Sequence, residues 1–186
     1  MPKKGIVSHV KYSVITEGKY TGAKDGGTLV NYNGSPNKLQ AEDWGSNQQV
    51  ASTNSVNKIN LSMELNDLQG SVYAELCGHD YDDETKKVTI KSSDNAPFVG
   101  VGAVGDSERD GRTVYILKFY PKVQFGDPND DNTTQNDTVT YNHTTIEGVG
   151  YPDEQKVLKI EQEFDTETEA LSALDELLKV PSGVGG

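Results

Sequence analysis

Residues 58–65 read Lys-Ile-Asn-Leu-Ser-Met-Glu-Leu, and residues 66–78 continue Asn-Asp-Leu-Gln-Gly-Ser-Val-Tyr-Ala-Glu-Leu-Cys-Gly. In the first run Ile59, Leu61, Met63 and Leu65 alternate with Asn60, Ser62 and Glu64. That period of two is a strand with one dry face and one wet face. In the second run Leu68, Val72 and Leu76 fall at i, i+4 and i+8, a helical row suited to covering the end of a sheet or barrel. Asn66 and Gln69 have capping-box spacing, and Gly78 offers the left-handed residue that stops a helix. A short helix is therefore expected over 67–77.

Outward from this pair the chain reads as β structure. Gly5–Thr16 is an opening strand. Lys86–Lys91 is a short strand with Val88 and Ile90 inward, and Phe98–Val104 is a strand interrupted by Gly100 and Gly102. Gly105–Gly111 reads as a charged hairpin tip, and Arg112–Phe125 as the longest strand, apolar on both faces and so covered twice. Asp137–Glu147 is a Thr-rich strand, Gly148–Tyr151 a turn and Gln155–Asp165 a further strand. Lys19–Ser55 is rich in Gly, Asn and Gln and poor in aliphatics; connections of that length are rarely idle. It reads as a protruding hairpin-like arm, with the only Trp, Trp44, as an interface anchor or a local plug. Thr166 and Glu169 form a capping box for a last helix striped with Ala170, Leu171, Leu174, Leu177 and Leu178. The expected architecture is mainly β (α+β): a β-sandwich or partly closed barrel over 1–165, with an arm at 19–55 and a helix at 67–77. An amphipathic helix at 166–180 and a flexible tail at 181–186 follow.

A chain of 186 residues fits one domain, burying roughly 70% of its unfolded surface without needing metal or disulfide. The single Cys77 forms no internal disulfide and reads as a small buried hydrophobe made in a reducing cytoplasm. The basic start Met1–Gly5 is followed by no signal-peptide run, and no stretch reaches the ~20 apolar residues of a membrane span. The sequons at Asn33, Asn60, Asn132, Asn136 and Asn142 then reflect Asn- and Thr-rich segments. Charge is uneven. Residues 1–66 hold seven lysines against five acids, net +2, and 67–186 hold ten basic residues against 24 acids, net −14. Such a surface repels nucleic acid.

Chemistry is thin. His79, Asp80, Asp82, Asp83 and Glu84 offer hard ligands, as does Asp127–Asn132, but neither run carries the full calcium-loop pattern. A structural zinc needs four nitrogen or sulfur ligands, and the chain has one Cys and three scattered histidines, His9, His79 and His143. Cys77 lies at a helix end whose dipole disfavours a thiolate. There is no G-x-S-x-G elbow and no phosphate-binding glycine loop. Paired carboxylates for glycoside hydrolysis stay open, although one Trp is few for stacking on sugars. No catalytic, cofactor-binding or metal residue is assigned, and the chain is read as a non-enzyme.

The order of elements over roughly 57–165 resembles the major tail protein, or tail tube, family of long, non-contractile phage tails, chiefly from phages of Gram-positive hosts. The matching residues are the helix from Leu65-Asn66-Asp67-Leu68 to Cys77-Gly78-His79, then Asn95-Ala96-Pro97-Phe98-Val99-Gly100-Val101-Gly102. Val114–Tyr120, Lys122–Phe125, Asp137–Tyr141 and Thr145–Gly148 follow in order. The Asn- and Asp-rich loop Gly126–Asn136 and the helix Thr166–Lys179 depart from the pattern. The resemblance implies a virion protein, made in the host cytoplasm, that forms hexameric rings stacked into a hollow tube for DNA delivery. Its partners would be further copies of itself and the tape-measure, tail terminator and distal tail proteins. DNA would pass through the lumen without specific binding. A second expectation is an acidic β-sandwich that binds carbohydrate, assisted by calcium at Asp127–Asn132. A third is a hydrolase with two acids in a cleft.

Overall fold

The computed structural model describes residues 9–45, 48–128 and 143–179, and their side chains outside 38–54. Residues 5–8 of the opening strand, 129–142 and the tail 181–186 lie outside this range, as do the sequons at Asn132, Asn136 and Asn142.

Ten strands and two helices alternate in the order β1 (His9–Thr16), β2 (Lys19–Tyr20), β3 (Lys24–Gly45), β4 (Gln48–Leu65), α1 (Gly70–Cys77), β5 (Asp80–Asp82), β6 (Lys87–Thr89), β7 (Phe98–Arg109), β8 (Arg112–Phe125), β9 (Thr144–Gly150), β10 (Ile160–Phe164) and α2 (Glu167–Lys179). The chain is mostly β, as its alternation implies. β5 and β6 form a small separate hairpin, and the other strands belong to one sheet.

That sheet curls until its path nearly closes. β1 lies between β3 and β7, β3 pairs β4, β4 pairs β9, and β8 pairs β7, all antiparallel. A short seam joins β8 to β9 through Val123↔Gly150, Gln124↔Val149 and Phe125↔Gly148. The other half of β8, Tyr115–Phe119, leaves the seam and pairs β10 instead. The result is a partly closed barrel with a flap. Gly148 permits the seam: a Cβ there would lie 2.7 Å from the Phe125 ring and 3.0 Å from the Gln124 carbonyl oxygen. The expected turn at Gly148–Tyr151 is therefore strand as far as Gly150, because the glycines serve a close approach between strands.

The barrel interior takes the side chains that the period of two assigned to it. Ile59, Leu61, Met63 and Leu65 are all buried, and Val101, Tyr120, Phe125 and Ile146 face them in one cluster. Val72, Leu76 and Cys77 of α1 close one end of this cluster, with Leu68 packed beside them. A second cluster lies on the outer face of β7 and β8, where Ala170, Leu174 and Leu178 of α2 cover Val104, Leu117 and Phe119. β8 is thus covered on both faces, as its doubly apolar sequence requires.

Several local expectations are corrected. The α1 cap is Gln69 in extended conformation with no side-chain hydrogen bond, so the Asn66–Gln69 capping box does not form. The Asn66 N–H instead donates to the Thr28 carbonyl, 3.0 Å, tying the linker to β3. The β7–β8 tip is two residues, Asp110 and Gly111, both at positive φ, and not the seven of Gly105–Gly111. Such a turn matches strand twist and lets pairing run out to Arg109↔Arg112. The longest strand is β3 and not β8. Gln155–Asp165 is strand only over Ile160–Phe164, because the Asp153 carboxylate accepts the N–H groups of Gln155 and Val157 and coils the start into a loop. Ile90 is 58% exposed, because β6 ends at Thr89 and the chain turns away before Ile90 can follow Val88 against α1.

Candidate functional site

Two places stand out from the barrel: the long β3–β4 hairpin, and a cluster of polar side chains where α1 meets the end of β8. The hairpin is the expected arm with a different root. Lys24–Thr28 pair with β1 and Leu29 is buried in the core, so the segment from residue 19 is partly barrel wall. β9 flanks β4 only as far as Ile59, which pairs Pro36 on β3. Beyond that point the two strands pair only with each other, from Asn37↔Lys58 to Gly45↔Gln48, among the described residues. At about 3.4 Å per residue, 37–45 reach roughly 30 Å from the wall. Pro36 lies on the stretch of β3 beyond its pairing with β1, an edge where its missing N–H is tolerated. Register shifts at Asn37/Lys38 and Asp43/Trp44 add bulges that twist the arm. Both outer edges carry backbone N–H and C=O groups free to pair with another strand. Trp44 lies near the tip by register; its side chain is outside the described residues.

The polar cluster is built by backbone geometry. Gly78 ends α1 at φ 77, and a Cβ there would lie 2.2 Å from the Asn95 carbonyl oxygen, so the helix end presses directly against the 94–96 turn. This places His79 between two carboxylates. Its Nδ1 lies 2.8 Å from Asp94 Oδ2 and its Nε2 2.5 Å from Asp127 Oδ1, with the ring only 4% exposed. Asp94 Oδ2 also accepts the Lys91 N–H at 2.8 Å. Asp127 Oδ1 accepts the Tyr73 hydroxyl at 3.0 Å, and the Tyr73 ring meets the His79 ring edge to face. The Cys77 thiol is buried and donates to the Gly126 carbonyl oxygen at 3.6 Å, with the Asp127 carboxylate oxygen within 4.8 Å of its sulfur.

Burial pulls the His79 imidazole down, but its hydrogen bonds to Asp127 and Asp94 outweigh this and hold it above its ordinary value. Asp94 is held low by the Lys91 N–H and then by His79, and Asp127 by His79 and Tyr73. Burial first, then the Asp127 charge, push the Cys77 thiol up to about 12. The small-hydrophobe reading of Cys77 thus accounts for its burial, while its polar company comes from a loop some 50 residues downstream.

The expected acid run from His79 to Glu84 does not act as one unit. Asp80 pairs Lys91, Asp83 pairs Lys86 at 2.7 Å, and Asp82 accepts the N–H groups of Glu84 and Thr85 to shape the turn. Only His79 points the other way, to Asp127. Of the run Asp127–Asn132, Asp127 and Pro128 are described. His143 pairs Glu64 at 2.9 Å, far from the cluster in sequence and on another strand. An open cleft of about 920 Å³ runs from Asn33 and Asn60 at the arm's root across the seam to Gln124 and Tyr151. No described helix is long and apolar enough to cross a membrane. Compared with known proteins, the chain matches no family model and no curated protein.

Proposed function

We propose that the chain is a structural protein of a phage tail tube, in which identical copies assemble into rings and the rings stack into a hollow conduit for DNA. The observation that carries this reading is the arm: a two-stranded hairpin projecting from a barrel whose own edges are largely paired. An unpaired strand edge binds another strand through main-chain hydrogen bonds, and the chain that best fits it is a further copy. A head-to-tail contact of this kind closes into a ring or propagates as a filament. The resemblance over 57–165 supplies the hexamer, the tube and the companion proteins. The acid-rich stretch from residue 67 onward supports a wall that repels phosphate, so that DNA slides without sticking.

The carbohydrate-binding reading draws less support. The carboxylates of Asp80, Asp82 and Asp83 are committed to the β5–β6 turn and its lysines, and the one described carboxylate of the downstream run is bound to His79 and Tyr73. Negative-stain microscopy and sedimentation of the concentrated full chain test assembly. The matched control replaces residues 38–57 by Asn-Gly, a two-residue turn joining the paired Asn37 and Lys58. Rings or tubes from the wild type, and monomers from the shortened chain, are expected. A wild type that stays monomeric at every concentration and salt overturns the reading.

A further inference from the structure

We propose that Cys77 Sγ, His79 Nε2 and Asp127 Oδ1 form a three-ligand site for a zinc-class divalent cation, independent of whether the chain assembles. One ligand atom from each residue falls in a group spanning no more than 4.8 Å. A sulfur, an imidazole nitrogen and a carboxylate oxygen are the donor types zinc accepts, and three protein ligands with one open position are a recurrent zinc arrangement.

The hydrogen bonds argue for a cation more strongly than the residue types do. Two donors converge on one carboxylate oxygen, the His79 Nε2–H and the Tyr73 hydroxyl on Asp127 Oδ1, and the Cys77 sulfur lies within 4.8 Å of both Nε2 and that oxygen while its thiol donates to the Gly126 carbonyl oxygen. A proton lies between Nε2 and Oδ1, where a metal ion would also sit. On the far side of the ring Nδ1 donates to Asp94, itself fixed by the Lys91 N–H. That is the carboxylate–histidine arrangement which orients a metal-bound imidazole and raises its basicity. Asp94 is therefore a positioning residue and not a ligand.

The fit requires small motions. Zinc bonds of about 2.0–2.3 Å place tetrahedral ligand atoms roughly 3.3–3.8 Å apart. The Nε2–Oδ1 pair at 2.5 Å must open by about an ångström, and the sulfur must close in. The ring and the thiol are buried, whereas the Asp127 side chain is 52% exposed and free to give. Its exposed side is where a water would complete the shell.

The exchange balances. One cation replaces two protons, the thiol proton of Cys77 and the proton shared by His79 Nε2 and Asp127. Both leave to solvent, the sulfur becomes an anionic ligand and Nε2 donates its lone pair. Asp127 keeps its charge, which opposes a bare thiolate and favours a metal-bound one. The ion would fasten the end of α1 to the end of β8, a join now made by hydrogen bonds and by the packing of Leu76 and Cys77 in the cluster that holds Phe125. Sequence reading rejected zinc for want of four nitrogen or sulfur ligands; the third ligand here is an oxygen that only the fold brings near.

The test is titration of the reduced, EDTA-treated full chain with Co2+, followed by displacement with Zn2+. One equivalent should produce a thiolate-to-cobalt charge-transfer band that Zn2+ abolishes. Asp127→Asn and His79→Gln should each weaken Co2+ at least tenfold, Asp94→Asn should weaken it 10–100-fold with the band retained, and His9→Gln should change nothing. Each variant is compared only after its near-ultraviolet circular dichroism matches the wild type, and the half-exposed Asp127 makes Asp127→Asn the variant best placed to fold. A folded wild type without the band overturns the site. So does a band whose affinity is unmoved by both Asp127→Asn and His79→Gln, since that reports a cysteine acting alone.

Discussion

The seating of α2 on the barrel can be tested at one contact, between Gly102 of β7 and Leu174 of α2. Leu174 is fully buried, and a Cβ built on Gly102 would lie 2.5 Å from its Cδ1. That Cβ would also lie 3.1 Å from the Lys118 carbonyl oxygen and 3.1 Å from the Phe119 ring, so the leucine has little room to step aside. Leu174→Ala leaves a cavity and should cost about 2–5 kcal/mol. Gly102→Ala overfills the same space and should cost about 1–3 kcal/mol. In the double variant the new methyl enters the space the leucine vacated, so the combined cost should fall short of the sum by about 1–3 kcal/mol. At this size each kcal/mol moves Tm by about 2–4 °C, so Leu174→Ala alone should lower it by about 4–20 °C. Urea unfolding of the four proteins, followed by near- and far-ultraviolet circular dichroism, gives the cycle. Additivity within about 0.5 kcal/mol, or a Leu174→Ala cost below 1 kcal/mol, refutes the packing described. A separate early transition for the helix would show that the second cluster is not coupled to the barrel.

Closure at β8–β9 makes Gly148→Val more damaging than Gly102→Ala, because valine adds two methyls to a Cβ already 2.7 Å from the Phe125 ring and 3.0 Å from the Gln124 carbonyl oxygen; a urea midpoint near that of wild type would count against the seam. Alkaline pH offers a second check. Burial raises Tyr12, Tyr20 and Tyr32 above the ordinary value near 10 and pushes Tyr120 up to about 12, with Glu75 adding to the effect at Tyr12. The folded state then holds protons that the unfolded chain gives up, so stability is intact below pH 10 and falls as pH rises past it, by up to about 1.4 kcal/mol per tyrosine per pH unit. Phenolate absorbance should therefore appear in two stages, the second coinciding with unfolding; a single stage near pH 10 would show these hydroxyls to be open to water. For the arm, Val50→Lys with Ser52→Lys should abolish higher assemblies while leaving Tm within about 1 °C, read by sedimentation and calorimetry; assemblies that persist would place the contact elsewhere.

What the sequence disclosed follows from the range of each signal. The alternation from Ile59 to Leu65 and the stripe Ala170, Leu174 and Leu178 are each set by a single layer contact, so their burial is legible residue by residue. Thr166 caps α2 as read, its Oγ1 accepting the Glu169 N–H at 3.3 Å while its hydroxyl donates to Glu169 Oε2 at 2.9 Å, both partners lying within the same turn. Asn66 carries the same kind of signal but lies where the chain must leave β4, and there the Thr28 carbonyl takes its N–H. Gly148 and Gly150 look like turn residues until β8 lies beside them. His79 was legible as polar and Cys77 as buried; that they share Asp127 depends on the path of β7 and β8 between them, which no local pattern encodes.

Under the proposed assembly, the distribution of edges among the described residues favours the arm over the barrel as the place for a second copy. Closure leaves β10 as an outer strand, and it is guarded by charge: Arg109 pairs Glu163 and Lys159 pairs Glu161, each at 2.5 Å. Charged side chains on an outer strand are a standard obstacle to edge-to-edge association. On the arm, β3 carries Lys38, Glu42 and Asp43, but the β4 side reverses that composition. Residues 46–57 read Ser-Asn-Gln-Gln-Val-Ala-Ser-Thr-Asn-Ser-Val-Asn, without a charge or a proline. A strand of that kind, projecting beyond its neighbours, exposes the groups that pair strands and lacks the residues that prevent pairing. In a lone subunit it is an aggregation hazard. In the proposed ring or stack a second copy would cover that edge.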